Sequence, residues 1–428
     1  MSELRPRSGR RKAVAAVARH GRLKRSRAWV FVIQLLAAVV VVALVSGGAV
    51  AAIVGYNFSS RVSSNLVNIH PGESVAAPPG IGAYPGGYNV LIVGSDTGDG
   101  QGALGVGRSG SLNDVNILLH VSANHQSATA ISFPRDMVLP HPRCSTGGTS
   151  AGLPLNTALS YGGLACVVTV IEGFTGLPIQ FAGLVTFNGV IGISDAIGGV
   201  DVCVDGAFHD KYTGLELPSG TSTLSGYNAL AFLRSRHGVG DGSDLSRISS
   251  QQVYLSSMVR KLQSSGALSS PETVYKIAAA ATSNMQLSTS LNSITTMLSL
   301  AQTLKDIPTA NIALVQYPGS TGGTGIYAGK VQPNLTLGKQ LINLIKSDTP
   351  FALGASGENR GSVVSTAPAT TPTPSPSSTK KSTRSPSPSV TATLPPDPSA
   401  SASTVINGLI GQSAAQQSCS KSRPLNNQ

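Results

Sequence analysis

Residues 229–252 read ALAFLRSRHGVGDGSDLSRISSQQ. The opening ALAFLR has the apolar spacing of a helix. Arg234 and Arg236 cannot share a face if both are helical, but they can if the chain turns extended after Leu233. Gly238, Gly240 and Gly242 then form a loop leading to Ser243, a good N-cap, with Asp244 in the first turn of a new helix. On that helix Arg247 and Gln251 stand i,i+4. Three arginines converging beside a helix N-terminus make a cradle for phosphate or pyrophosphate, through bidentate guanidinium contacts and backbone N–H groups. The competing reading is a solvated basic helix.

Working outward, helical spacing recurs at 155–174, 187–197, 224–233 and 244–262. Short apolar runs at 89–95 (NVLIVGS), 114–121 (DVNILLHV), 127–133 (SATAISF), 181–186 and 200–204 read as strands, so the class is α/β. Residues 271–348 add two or three helices, a strand at 311–317 and a helix at 335–345. Asp96 ends the first strand and Asp114 opens the next. Strand ends are where α/β folds place ligand groups, and two carboxylates there suit one hard divalent cation; the plainer reading is a pair of surface loop aspartates. Arg135-Asp136 leaves the third strand, as a ligand group or as a local ion pair.

The chain of 428 residues carries a formal +12, which is unevenly spread. Residues 1–28 hold ten Lys/Arg and one acid, residues 29–356 hold 15 bases and 16 acids, and residues 357–428 hold six bases and two acids. The nearly neutral middle speaks against nucleic acid as a partner, because nothing there supplies a cationic footprint for phosphate backbones. Residues 29–55 are uncharged and strongly apolar, long enough for one membrane-spanning helix. The bases before it predict a cytoplasmic N-terminus and an exported remainder. A cleaved signal peptide is the alternative, although its apolar core is usually only about 7–15 residues. The expected layout is a basic cytoplasmic tail at 1–28, a transmembrane helix at 29–55, a polar stalk at 56–86, a globular domain at 87–350 and a Ser/Thr/Pro-rich disordered tail at 351–428.

Outside the membrane disulfides persist, and Cys144 and Cys166 flank one loop, so they are expected to pair. Cys203 is read either as bonded to Cys419, tethering the apolar patch 405–410 to the domain, or as a lone buried thiol. Gly148-Thr149-Ser150-Ala151-Gly152 matches G-x-S-x-G, but a nucleophile elbow must follow a strand, and the residues before this match, His-Pro-Arg-Cys-Ser-Thr-Gly, read as a loop. The seven His show no zinc-ligand spacing.

Taken in order, NVLIVGSD, the aspartate of NDVNILLHV, SFPRD, LNTALSYGG, VTFNGV with DAIGGVDV, and ALAFLRSRHGVGDGSDLSRISSQQ resemble the LytR-CpsA-Psr family over roughly residues 88–262. The resemblance implies a single extracytoplasmic domain with a central mixed sheet flanked by helices. It also implies a phosphotransferase that moves a glycopolymer from a polyprenyl-pyrophosphate carrier onto peptidoglycan with Mg2+ assistance. Asp96 and Asp114 would bind the Mg2+. Arg135, Arg234, Arg236, Arg247 and Gln251 would hold the pyrophosphate, with Arg135 also taking part in catalysis. The base for the acceptor hydroxyl would be Asp136 or Asp244, and the polyprenyl chain would lie in an apolar groove between the 155–174 and 187–197 helices. Two positions depart from the family pattern: Leu112 and Pro154 stand where a cation is common, and Arg108 is a possible substitute for the first. A polyprenyl-pyrophosphate hydrolase and an impaired wall scaffold or regulator are the alternatives.

Overall fold

The computed structural model describes residues 65–72, 82–96, 111–144, 148–264, 266, 270–354, 360–365 and 404–428, with part of 29–46. The chain divides into two units, residues 1–55 and 56–428. In the first, residues 35–42 are helical with exposed side chains; the expectations for 1–28, for most of 29–55, for Arg108 and for residues 366–403 fall outside the described residues.

The second unit is built on an eight-stranded mixed sheet. Its strands are β1 (Leu66–Val67), β2 (Tyr88–Ser95), β3 (Asn113–Val121), β4 (Ala128–Ser132), β5 (Phe181–Val185), β6 (Met285–Ser288), β7 (Ile312–Gln316) and β8 (Gly411–Ser413). They lie in the order β1-β6-β5-β2-β3-β4-β7-β8. The β1/β6, β5/β2 and β4/β7 pairs are parallel and the other four antiparallel. Both faces are covered, which is why these strands are nearly continuous apolar runs. Leu91 and Val93 of β2 enter the core beneath α1 (Ala158–Thr175), while Val90, just before Leu91, packs on the opposite side with Leu255, Leu300 and Phe181.

Six further helices follow: α2 (Phe187–Ala196), α3 (Gly226–Arg234), α4 (Asp244–Ser264), α5 (Pro271–Asn284), α6 (Ile294–Asp306) and α7 (Leu335–Lys346). Among the described residues, Leu155–Thr175 is the one helical stretch long and apolar enough to cross a membrane. Its Leu159, Leu164, Val167, Val168 and Ile171 are buried in the domain core, so this apolarity belongs to packing. The helix is interrupted at Gly162 and Gly163, whose backbones are not helical.

Several boundaries differ from the expected layout. Residues 66–67 pair with β6 and Ile69 is 4% exposed, so this part of the 56–86 segment belongs to the domain. The domain also continues past 350. Strands Phe351–Leu353 and Thr404–Ile406 pair in parallel, β8 closes the edge of the main sheet, and Ser418–Ser420 lies in a second sheet beside Val200–Val204. That second sheet runs in the order 220–224, 200–204, 418–420, 362–364. Both disulfides form: Cys144–Cys166, and Cys203–Cys419 across the paired strands of the second sheet. Ser150 of the G-x-S-x-G match opens a strand of the Val138–His141/Ser150–Pro154 hairpin, which is no nucleophile elbow.

Candidate active site

The strand β2 ends at Ser95, directly before Asp96, and its pairing with β3 shifts register there: Gly94 faces Val115 and Ser95 faces Asn113, leaving Asp114 as the extra residue of a bulge. Such a bulge re-aims a side chain at a sheet end. The approach is close enough that a Cβ on Gly94 would lie 2.9 Å from that of Val115, which accounts for the glycine. Asp96 and Asp114 therefore open together onto a cavity of about 440 Å3 at this end of the sheet.

Arg234 is the last residue of α3, and Ser235 is extended (φ −61°, ψ 129°), so Arg234 and Arg236 both line the cavity, as the extended turn predicts. Arg234 lies over the Phe187 ring, its Cζ 4.2 Å from the centroid. The glycine loop follows. Gly240 and Gly242 have φ of +49° and +81°, and a Cβ added there would collide with the Arg360 carbonyl or the Arg423 guanidinium, so a side chain has neither the backbone nor the space. Ser243 caps α4, its Oγ accepting from the Ser246 amide at 3.2 Å. From that helix Arg247 and Gln251 face the cavity. Gln251 Nε2 also donates to the Leu233 carbonyl at 2.8 Å, tying α4 to the end of α3.

The arginines are held by carboxylates. Arg135 Nη1 donates to Asp114 Oδ1 at 2.7 Å, and its Nε lies 3.3 Å from Asp244 Oδ1 and 3.6 Å from Asp136 Oδ2. Arg247 Nη2 is 2.7 Å from Asp244 Oδ1 and donates to the Asp114 carbonyl at 2.8 Å. Burial alone would lower the Arg135 pKa; the charges of Asp114, Asp244 and Asp136 outweigh it and raise the net value, so this guanidinium stays protonated. Among the described residues neither Arg234 nor Arg236 has a carboxylate partner, and the buried Nε of Arg236 and of Arg247 meets no hydrogen-bond acceptor. Unmatched guanidinium donors facing one cavity call for an anion.

Asp136 and Asp244, the two carboxylates expected to serve as base, do not line the cavity. Asp244 is clamped between Arg135 and Arg247, and Asp136 between Arg135 and Lys330 Nζ at 3.4 Å. Their charges orient arginines. The expected apolar groove also differs: Phe187 and Val190 of α2 line it, but no residue of α1 does, because α1 is packed into the core. Its place is taken by Ile92, Ile117, Leu230, Leu233 and Leu255. Leu112 and Pro154 bring no cation to the site.

Among the lining residues that were not anticipated are Asp210, Tyr212 and His237. Asp210 is fully buried and its Oδ2 accepts from Ser235 Oγ at 2.5 Å and from the amides of Arg236 and Gly238 at 3.1 and 3.0 Å. Its Oδ1 accepts from the Tyr212 and Thr213 amides at 2.9 and 3.2 Å. One carboxylate thus fixes the backbone on both sides of His237. Burial alone would raise the Asp210 pKa, but these hydrogen bonds hold it below the ordinary carboxylate value. The available signal was Asp210 opening the polar Asp-Lys-Tyr-Thr-Gly turn, where an aspartate caps its own backbone.

The sequence model of the LytR_cpsA_psr family matches residues 55–341. The chain belongs to the LytR-CpsA-Psr family. It is 28% identical to the cell wall biosynthesis protein LcpA of Corynebacterium glutamicum over 302 residues, 63% of this chain and 57% of LcpA. To LcpB of the same organism, described as a probable cell wall biosynthesis protein, it is 29% identical over 44% of this chain and 45% of LcpB. The chain thus spans about half the length of these curated relatives. It is also 29% identical to TagU of Bacillus cereus, named a polyisoprenyl-teichoic acid–peptidoglycan teichoic acid transferase, over 51% of this chain and 67% of TagU. Among solved structures, B. subtilis TagV superposes with a TM-score of 0.50 at 22% identity, covering 62% of this chain and 97% of TagV. That likeness is one of fold.

Proposed function

We propose that this LytR-CpsA-Psr protein is a membrane-anchored phosphotransferase with an extracytoplasmic catalytic domain. In this reading it moves a glycopolymer from a polyprenyl-pyrophosphate carrier onto peptidoglycan in cell-wall assembly. The observation that carries the reading is one cavity with two chemistries: arginines with unmatched donors together with Asp96 and Asp114, and apolar lining from Ile92, Val190, Leu230 and Leu255. A pyrophosphate joined to a long hydrocarbon fits both halves at once. The transferase name of TagU and the cell-wall names of LcpA and LcpB agree with it.

Phosphoryl transfer asks mainly for positioning and neutralisation of charge. Arg234 and Arg236 meet the departing polyprenyl phosphate, while Arg135 and Arg247, fixed by Asp114 and Asp244, hold the phosphoryl group that stays with the sugar. Gln251 keeps the ends of α3 and α4 together so that these arginines share a focus. Among the described residues no three His, Cys, Asp or Glu cluster as a metal site. Mg2+ needs only one or two carboxylates when phosphate oxygens and waters complete its shell, so Asp96 and Asp114 fit it as a donor set. Bound there, Mg2+ would neutralise charge on the pyrophosphate.

The test uses full-length protein in nanodiscs with polyprenyl-pyrophosphate-linked glycan, Mg2+ and peptidoglycan oligomers. Glycan joined to the oligomer through a phosphodiester is the expected product. Release of free phosphorylated glycan alone would make the protein a hydrolase, and absence of turnover would leave it a wall scaffold; either result overturns the proposal.

A further inference from the structure

Transfer to a sugar hydroxyl requires a group that takes its proton, and the Asp136 and Asp244 carboxylates stand outside the cavity, each engaged with Arg135. We infer that His237 is that general base, on the strength of its lining the cavity beside Arg236 with its imidazole packed at 34° against the Tyr212 ring, centroids 4.1 Å apart. The inference rests on the phosphotransfer reading above.

The placement is built, not incidental. Asp210 receives the amides of Arg236 and Gly238, on either side of His237, and that of Tyr212, the residue against which the imidazole packs. One buried carboxylate therefore sets the base, the ring that orients it and the neighbouring pyrophosphate-binding arginine in a single frame. The other carboxylates of the cavity are committed: Asp210 to five donors, Asp114 to Arg135, and Asp96 with Asp114 to the cation end. His237 offers a ring nitrogen to an incoming hydroxyl.

The electrostatics suit a base. Burial and the facing cations Arg236, Arg423 and Lys211 push the imidazole below its ordinary value, with Asp210 opposing them. His237 is then neutral at neutral pH and able to accept a proton. In the step itself the acceptor O–H proton passes to the imidazole as the hydroxyl oxygen bonds to the sugar-side phosphorus. The P–O bond to the polyprenyl phosphate breaks, its electron pair leaves on that oxygen between Arg234 and Arg236, and the imidazolium then returns its proton to solvent.

The experiment is a pH series of transfer by full-length protein in nanodiscs, with kcat and donor KM measured separately. Wild-type kcat is expected to fall on the acid side with an apparent pKa below about 6.5. His237→Gln is expected to lower kcat about 10^2- to 10^4-fold, leave donor KM unchanged and abolish the acid limb. Added imidazole is expected to restore part of the rate to His237→Gly. A His237→Gln protein that keeps kcat and the acid limb, or that changes donor KM alone, overturns the base assignment. Wild-type protein that transfers nothing overturns the phosphotransfer reading itself, so the two failures are distinct.

Discussion

Arg236 is a cation with a buried Nε that no acceptor among the described residues meets, so its replacement removes binding without leaving any of their carboxylates stranded. Arg236→Ala is expected to reduce kcat/KM for transfer about 10^2- to 10^3-fold with little change in melting temperature, checked by kinetics beside calorimetry. Asp210 is the opposite case. Asp210→Asn puts an amide among five donors and is expected to cost about 1.5–3 kcal/mol, read by urea unfolding. Its folded pKa lies below the unfolded value, so its stabilisation is present above the unfolded pKa of about 3.9 and is lost as pH falls through the folded one. Wild type and Asp210→Asn should therefore converge in stability in acid. The arginines were legible because they recur at short spacing in one stretch. Asp210 was not, since its partners at Ser235, Arg236 and Gly238 lie 25–28 residues away, and two of them are backbone amides that carry no residue signature.

The unit that shapes the site is helix, loop, helix: α3 stops at Arg234, the glycines turn the chain, and Ser243 starts α4. Ser243→Ala should cost about 1 kcal/mol, measured by thermal unfolding, and loosen the first turn that carries Asp244 and Arg247. On the apolar wall, Val190→Glu should raise KM for a long-chain polyprenyl donor about tenfold or more while sparing a short-chain analogue; equal loss on both would relocate the lipid. The sequence allowed these elements to be read because α2, α3 and α4 keep helical apolar spacing over nine or more residues and β2 to β5 are apolar runs. It misassigned the groove to 155–174 because a helix apolar on several sides looks the same whether it lines a cavity or fills a core. The three-residue strands at 208–210, 215–217 and 418–420 escaped notice, being too short to establish a period of two.

At the scale of the whole molecule, residues 404–428 are built into the domain. Ile406 and Leu409 are 1% exposed in the main core. The Lys421 carbonyl accepts from the Gly240 amide at 2.9 Å, the Arg423 amide donates to the Gly238 carbonyl at 2.9 Å, and Gln428 Nε2 donates to the His209 carbonyl at 2.6 Å. The loop that carries Arg236 and His237 is thus braced from nearly two hundred residues downstream. This was hidden in the sequence because the segment is rich in Ser, Gly and Gln and follows a Ser/Thr/Pro tract whose composition marks a chain end, whereas its partners are set by tertiary pairing. Cys419→Ser should lower stability by about 2–4 kcal/mol, checked by calorimetry with and without reductant. The same bond has a consequence for survival in a protease-rich surrounding. A single cut anywhere in 366–403 yields two polypeptides joined through Cys203–Cys419, migrating as one band until a thiol is added. Proteolysis there divides the chain while the active-site loop keeps its brace, and only reduction lets the smaller fragment go.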